Sequence, residues 1–247
     1  MSKLGYLAIA GVCAATIALA GCGGAQQATS SSAEQSASTA ATESTAIDGG
    51  WSFAPLDEIH LSSDLGDIFA RAAKGTDAEG YSPALVLATQ VVAGTNYAFL
   101  CDSGNQSWHI VAVYNDLQGN ASIISDEEID IANVKIADAE KPGGDEDMVG
   151  AWEVVNPEEP GVVSEAAMLA FEKASKTYTG MNFDILAVLG TQVVAGTNYK
   201  VLCAGAQVTA DPETEPSLYV VDVYEDLEGA SEITDVSYFN LLGYINQ

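Results

Sequence analysis

The peptide Gln-Val-Val-Ala-Gly-Thr-Asn-Tyr occurs twice in the chain, at Gln90–Tyr97 and again at Gln192–Tyr199. A second pair of related segments follows, since Ile110–Gly119 aligns with Val220–Gly229. An identical string of this length at two places in one chain indicates an internal duplication. The sequence therefore predicts two copies of one module, with the repeated string at the same place in each copy.

The composition favours packed domains and opposes contact with nucleic acid. The chain has 247 residues, enough for two ordinary domains, and 48% of them are hydrophobic. It carries 35 acidic residues against 8 basic ones. Because such a chain repels phosphate groups, we expect no nucleic-acid partner. The negative charge either keeps a surface protein soluble or steers it toward a basic partner.

Residues 1–21 have the pattern of a lipoprotein signal peptide. Lys3 provides the positive start, Leu4–Ala20 is a short apolar stretch, and Leu19–Cys22 resembles a bacterial lipobox. We therefore expect a lipid on Cys22 that anchors an exported protein to the membrane of the cell envelope, at the bacterial surface or in the periplasm. The alternatives are an uncleaved anchor helix and a signal peptide without lipid.

Residues 22–48 are rich in Ser, Ala, Thr and Gln and show no apolar period. Such a segment cannot bury a core, so we expect a flexible tether between the lipid and the folded part.

Two cysteines remain in the folded part, Cys101 and Cys203, at equivalent positions of the two repeats. A disulfide between them is compatible with an oxidising compartment. Equivalent positions in two separate cores should not touch, however, and strand alternation places each cysteine on an apolar face. We therefore favour two buried free thiols that pack as small hydrophobic side chains.

Each repeat predicts one helix followed by an antiparallel meander, which makes an α+β fold. Apolar residues at helical spacing predict helices at Ser63–Lys74 and Ser164–Tyr178. In the second helix we expect Ser164 as N-cap and one buried face made of Met168, Phe171, Ala174 or Ser175, and Tyr178. We expect one helix packed across a four- to five-stranded antiparallel sheet in each module, the first spanning residues 49–141 and the second residues 148–247. The expected strands are Ala84–Val92, Asn96–Cys101, Trp108–Asn115 and Ser122–Ile131, then Ile185–Val194, Asn198–Cys203, Leu218–Glu225 and Glu232–Leu241.

The repeated string predicts an exposed apolar hairpin tip. Val91, Val92 and Ala93 are consecutive apolar residues running into Gly94, although hairpin turns are usually polar. Since Val91 and Val92 point to opposite faces, at least one of them should lack a core to enter. Exposed apolar surface of this kind usually marks a binding site. The alternative is a buried hairpin that is still identical because the duplication is recent.

The repeated string resembles the first hairpin loop of the cystatin family, and of its stefin branch in particular. Gln90–Gly94 and Gln192–Gly196 match that motif completely. Gly49-Gly50 and Met148–Ala151 resemble the N-terminal glycine element of the family, with Ala151 in place of the second glycine. The turns Leu117–Gly119 and Leu227–Gly229 resemble the second hairpin tip, but neither contains the Leu-Pro-Gly proline of stefins or the Pro-Trp of secreted cystatins.

This resemblance implies two tandem cystatin-like domains that reversibly inhibit papain-like cysteine proteases. The three elements would form a wedge that occludes the protease cleft without catalysis, and the protease would belong to a host, to a competitor or to the cell itself. The alternative is a surface binding or adhesion module of the same fold that inhibits nothing. The residues expected at the protein-binding surface are Gly49, Gly50, Gln90, Val91, Val92, Ala93, Gly94, Leu117, Gln118 and Gly119 in the first module, and Gly150, Gln192, Val193, Val194, Ala195, Gly196, Leu227, Glu228 and Gly229 in the second.

Enzymatic and metal chemistry have weak support in the sequence. Cys101 and His109 lie on successive predicted strands, but the second repeat has Tyr219 where His109 stands. The only other histidine is His60, which gives no metal-ligand spacing. The acidic runs Asp126–Glu128 and Asp145–Asp147 lack the alternating ligand positions of a calcium loop. We expect neither a cofactor, nor a metal, nor catalysis.

Overall fold

The structure, a computed structural model, describes residues 46–47, 50–134, 150–154, 162–208 and 216–245. Contacts within the chain group residues 42–247 into one compact unit, which contains every described residue. The expected lipidation site at Cys22, most of the expected tether and the expected boundary at residues 141–147 lie outside the described residues. None of the helices within the described ranges is long and apolar enough to cross a membrane.

The first repeat forms an antiparallel sheet of six strands, arranged in the order in which they occur along the chain. The strands are β1 (Ala46–Ile47), β2 (Trp51–Phe53), β3 (Ser82–Val92), β4 (Gly94–Asp102), β5 (Trp108–Asp116) and β6 (Ala121–Glu128). Helix α1 (Ser63–Ala73) separates β2 from β3, and a 3-10 turn at Ile131–Asn133 follows β6.

The second repeat forms an antiparallel sheet of five strands, in which each strand again pairs with its neighbours in the sequence. Its strands are β7 (Trp152–Val154), β8 (Met181–Val194), β9 (Gly196–Gln207), β10 (Ser217–Glu225) and β11 (Ser231–Tyr238). Helix α2 (Glu165–Ser175) separates β7 from β8, and a short helix α3 (Leu242–Ile245) follows β11.

The α+β class predicted from the sequence is confirmed, and the long strands lie where they were expected, with shifted ends. Strands β6 and β11 end at Glu128 and Tyr238, earlier than predicted. Sequence analysis missed β2 and β7, because three residues are too few to show a period. Strand β1 falls within the segment expected to be a tether and pairs with β2.

Local contacts explain where both long helices begin and where α1 ends. The hydroxyl groups of Ser62 and Ser164 accept hydrogen bonds from the third backbone amide that follows each of them, which caps the helix N-termini. Gly75 follows α1 with φ of +76°, a conformation that ends a helix at little cost for glycine. The buried face of α2 differs slightly from the prediction, because Ala167, Ala170, Phe171 and Ala174 are buried while Met168 is only half-buried.

Each long helix packs across one face of its own sheet. In the first repeat the rings of Phe69 and Phe99 lie 5.3 Å apart in an edge-to-face contact between α1 and β4. The strand register shifts at three places in each repeat, and these places are equivalent in the two repeats. Two of them lie within the β3–β4 and β8–β9 pairs, and the third lies within the β5–β6 and β10–β11 pairs. Such bulges bend and twist strands, so both sheets curve in the same way.

The face of each sheet opposite its helix is also buried. Leu100 and Ile110 lie on that face of the first sheet, and Leu202 and Val220 lie on that face of the second. All four side chains are buried and belong to one continuous hydrophobic cluster drawn from both repeats. The sheets therefore pack against each other, with α1 and α2 on the outer surfaces, and the modules share a core.

The prediction of two free, buried thiols is confirmed for Cys101 and Cys203. Both cysteines lie on the helix-facing sides of their sheets, so the inner faces of both sheets stand between them. Burial raises the pKa of each thiol well above its ordinary value, which leaves little reactive thiolate at neutral pH.

The shared core predicts that the modules unfold together. Leu202→Ala removes a fully buried side chain from the inner face of the second sheet, and we expect a loss of about 2–5 kcal/mol in the free energy of unfolding. In a Trp152→Phe background, Trp51 and Trp108 report on the first module alone. Their fluorescence transition in urea should move to lower denaturant together with the circular dichroism of the whole chain.

The matched control is Leu227→Ala, which truncates a leucine that is 83% exposed and should change stability by less than about 0.5 kcal/mol. A tryptophan transition that stays in place while the circular dichroism shifts would mean that the modules unfold independently.

Candidate functional site

Three segments of the first repeat meet at one end of its sheet. Gly94 begins β4 and pairs with Asp116, which ends β5, so the β3–β4 tip and the β5–β6 turn are neighbours. Ser52 of β2 pairs with Thr89 of β3, which brings the preceding Gly50 alongside the same tip. We refer to Gly50, Val91–Gly94 and Leu117–Gly119 together as wedge 1.

The second repeat places the corresponding segments together in the same way. Trp152 pairs with Gln192, and Thr197 pairs with Glu225, so the segment before β7, the β8–β9 tip and the β10–β11 turn lie side by side. We refer to Gly150, Val193–Gly196 and Leu227–Gly229 as wedge 2. The register aligns Ala151 with Gly50 and Gly150 with Gly49, so Ala151 does replace the second glycine. Gly49, Met148 and Val149 themselves lie outside the described residues.

The apolar residues of both wedges project into solvent. In wedge 1, Val91 is 86% exposed, Val92 is 44% exposed and Leu117 is 78% exposed. In wedge 2, Val193 and Leu227 are 69% and 83% exposed. These are among the most exposed large hydrophobic residues of the described chain. The hairpin tips are therefore not buried beneath their own helices or against the other module.

Glycine is required at the base of each first tip by a close approach of two backbones. Gly94 has φ of +133° and Gly196 has φ of +135°, values that side-chain-bearing residues rarely adopt. A Cβ atom at Gly94 would overlap the backbone oxygen of Asn115, and one at Gly196 would overlap the backbone oxygen of Glu225. The glycine thus lets the tip lie flat on the next strand.

A tyrosine on that next strand holds each tip from the side. The hydroxyl group of Tyr114 donates a hydrogen bond of 2.6 Å to the carbonyl oxygen of Ala93. Tyr224 makes the same 2.6 Å bond to Ala195 in the second repeat. Each bond restricts the residue at the apex of the hairpin, which has no backbone partner in the strand ladder.

The glutamine and asparagine of the repeated string form a brace behind each tip. The Asn96 side-chain amide donates to Gln90 Oε1 at 2.7 Å, and Asn198 donates to Gln192 Oε1 at 2.8 Å. Gln192 in turn donates from Nε2 to the carbonyl oxygen of Gly150 at 2.9 Å. Gln192 is only 2% exposed, so it ties the N-terminal segment to the hairpin from inside the fold.

An ion pair between a buried lysine and a half-buried aspartate anchors the N-terminal segment of wedge 2 further. The ammonium group of Lys200 lies 2.6 Å from Asp222 and 4.8 Å from the ring centroid of Trp152 in β7. Burial raises the pKa of Asp222, and the adjacent Lys200 opposes that shift. The first repeat has Ala98 and Ala112 at the positions of Lys200 and Asp222, so this anchor belongs to one copy only.

The second turn of each wedge is capped by an aspartate. Asp116 Oδ1 accepts from the backbone amides of Gln118 and Asn120, both at 2.8 Å, and the Asn120 side chain donates to its other oxygen. The bond from the Asn120 side chain is the main reason that the pKa of Asp116 is lowered. Asp226 caps the turn of wedge 2 in the same manner, at 2.8 and 2.9 Å. These bonds fix the backbone beneath the exposed leucine.

The structure therefore separates the residues expected at the binding surface into two groups. The valines, the apex alanines and the Leu-Gln-Gly and Leu-Glu-Gly turns are exposed or half-buried, whereas the glutamines and Gly94 and Gly196 support the tips from behind. Sequence analysis missed the tyrosines and aspartates that fix the tips, Tyr114, Tyr224, Asp116 and Asp226. The same residue types stand at the corresponding positions of both repeats, and this match could have identified them as part of the site.

The polar cluster around His109 lies at the opposite end of the first sheet. His109 Nδ1 lies 2.7 Å from Asp126, and its Nε2 lies 3.2 Å from the hydroxyl group of Ser107. This arrangement resembles a hydrolytic triad. However, the Ser107 hydroxyl also bonds to Ser103, and the backbone amides of residues 103–105 are already bound within the loop. These three amides are therefore not available to stabilise an oxyanion.

Cys101 pairs with His109 in the strand ladder, but its burial and raised pKa oppose a role as nucleophile. Within the described ranges, no three His, Cys, Asp or Glu side chains are placed to hold a metal ion.

No model of a known protein family matches the chain, and no curated protein sequence matches it.

The close backbone contact at Gly94 can be tested with a matched pair of glycine substitutions. Gly94→Ala must shift β5 or the tip, whereas Gly119→Ala has the same sign of φ but open space around the new methyl group. We expect Gly119→Ala to cost about 1–2 kcal/mol of unfolding free energy from its backbone conformation. Gly94→Ala should cost clearly more, because overlap with Asn115 adds to that penalty. Urea denaturation of the two variants makes the comparison, and equal losses would contradict the contact.

Proposed function

We propose that the protein is a reversible, non-catalytic inhibitor of papain-like cysteine proteases. Each repeat would be a cystatin-like domain that presents its own wedge to a protease cleft. The observation that supports this most directly is the duplicated pair of exposed valines, Val91 and Val193 foremost, on a backbone that several specific contacts hold in place. The Gln-Val-Val-Ala-Gly string at this position is the motif by which the chain resembles cystatins.

The chemistry of the wedge favours insertion into a groove. Moving an exposed valine or leucine out of water contributes roughly 1.5–3 kcal/mol per side chain. Val91, Val92 and Leu117 form such a row in wedge 1. Ordering of flexible loops usually consumes much of this gain on binding. Because Tyr114 and Asp116 already fix both tips, little ordering would remain and the apolar contacts would translate into affinity.

The wedge itself favours steric obstruction over chemistry. Its projecting side chains are apolar apart from Gln118 and Glu228, and none of them is a serine, a cysteine or a histidine. A protease blocked in this way would stay chemically intact, and the complex would dissociate to active enzyme. Only backbone amides and carbonyl groups near the tips would align the wedge with the catalytic cysteine.

The proposed setting is the outside of a bacterial cell. The lipobox-like Leu19–Cys22 would place a lipid at the start of the mature chain, and residues 22–48 would separate the folded part from the membrane. From there the protein would protect surface proteins from host or competitor proteases, or control a protease of its own cell.

The test uses residues 42–247, the compact unit, with one acidic substitution in each wedge. Val91→Asp combined with Val193→Asp places a charge at both exposed tips without touching the backbone contacts at Gly94. Titration of papain should show inhibition by the native protein at or below micromolar concentration. The double variant should bind at least about 100-fold more weakly, since central apolar contacts carry most of the energy of such interfaces.

The matched control is Leu56→Asp combined with Val208→Asp. Both residues are exposed, by 36% and 61%, and neither belongs to a wedge segment, so the same charge change should leave inhibition intact. A native protein that does not inhibit papain or a cathepsin at micromolar concentration would reject the proposal. That result would favour the alternative of a surface binding module that uses this fold without inhibiting proteases.

A further inference from the structure

We propose that wedge 1 and wedge 2 bind protease at the same time, so that one molecule bridges two protease molecules. This inference rests on the proposed function and adds to it a stoichiometry and a geometry. It follows from the way in which the two sheets are packed, which places the wedges at separate positions on one rigid body.

The first module has a wedge end and a far end. Wedge 1 lies where β3 meets β4 and where β5 meets β6. The far end is marked by the pairing of Asp102 with Trp108 and by the hydrogen bond from Ile129 N to Trp108 O. The 3-10 turn at Ile131–Asn133 follows directly and therefore belongs to the far end.

This far end contacts the second module near wedge 2. A Cβ atom at Gly190 would lie 2.8 Å from Cγ2 of Ile131, so Ile131 packs directly on β8 at that point. Gly190 pairs with Val154 of β7. Gly190 lies two residues before Gln192, and Gln192 is the residue that braces wedge 2. The 3-10 turn also contacts β7, the strand that leads out of wedge 2.

The far end of the second module reaches back to the first sheet. Phe239 hydrogen-bonds to Leu218 at that end, and α3 follows, with Tyr244 stacked on Phe239 at a ring separation of 5.4 Å. Helix α3 packs on β5 and β6 of the first module. The second module therefore also contacts the first sheet through α3.

The contact of the far end of the first module with β7 and β8 separates the two wedges. Strand β6 has 8 residues, and at ~3.4 Å per residue it places wedge 1 roughly 27 Å from the 3-10 turn. Wedge 2 instead lies close to that turn. A protease seated on one wedge would therefore occupy a different part of the molecular surface from a protease on the other.

The shared core keeps this arrangement fixed. Leu100 and Ile110 of one sheet and Leu202 and Val220 of the other are buried in one cluster, so bending the modules relative to each other would expose apolar surface. The wedges therefore cannot fold onto a single protease molecule, and they do not compete for the same space. We therefore expect two independent sites, and the affinity of each site for protease should not depend on whether the other site is occupied.

Single-wedge variants test the stoichiometry. The proteins are residues 42–247 in four forms: native, Val91→Asp, Val193→Asp and the double variant, each mixed with excess papain. Light scattering on a gel-filtration column gives the mass of the complex, and calorimetry gives the affinity of each site. We expect one inhibitor with two papain molecules for the native protein, one with one for each single variant, and no complex for the double variant.

The affinity of the remaining wedge should change by less than about threefold in each single variant, because independent sites do not influence each other. Leu56→Asp with Val208→Asp should keep the two-to-one complex, which controls for added charge and for folding. If the native protein binds only one papain molecule while both single variants still bind papain, the two wedges exclude each other's protease. That result would overturn the proposal of simultaneous binding but would leave the inhibitor proposal intact.

A native one-to-one complex that only one of the single variants abolishes would show a single working wedge, and it would also overturn the bridge. Absence of any complex with papain or a cathepsin would overturn the inhibitor proposal and the bridge together. The two proposals are therefore separated by whether binding occurs at all and by how many molecules bind.

Discussion

The contact between the inner faces of the two sheets is the constraint on which the rest of the molecule depends. Helices α1 and α2 cover only one face of each sheet, yet Leu100 and Leu202 on the opposite faces are fully buried. A sheet with two apolar faces needs a second layer on each side, and here each repeat supplies that layer to the other. Duplication of one module thus provides two apolar sheet faces that can bury each other.

The same contact explains where the repeats have kept their sequence and where they have diverged. The wedge residues are identical or nearly so: the valines and leucines project into solvent in both copies, and Gly94 and Gly196 make the same close backbone contact. The inner faces differ, as the pair Ala98 and Ala112 in one sheet and Lys200 and Asp222 in the other shows. Two surfaces that pack on each other need to be complementary rather than alike.

The wedges combine exposed apolar side chains with a backbone that is held from several sides. Tyr114 restrains the apex, Gly94 permits close contact with β5, and Asp116 caps the neighbouring turn. Exposure of the valines would be unfavourable in a flexible loop, which would collapse onto the nearest apolar surface. Restraint prevents that collapse, so the tip keeps a shape that a complementary groove can accept.

The sequence by itself determined the duplication, the α+β class, the Ser164 helix cap and the exposure of the tips, because each follows from short-range patterns of residue type. It did not reveal the braces at Tyr114 and Gln192, since these hydrogen bonds join residues distant along the chain. The shared core and the separate positions of the two wedges were decided only by tertiary structure. Leu202 and Val201 are equally apolar in the sequence, and only the packing of one sheet on the other determines which of them faces a helix and which faces the second module.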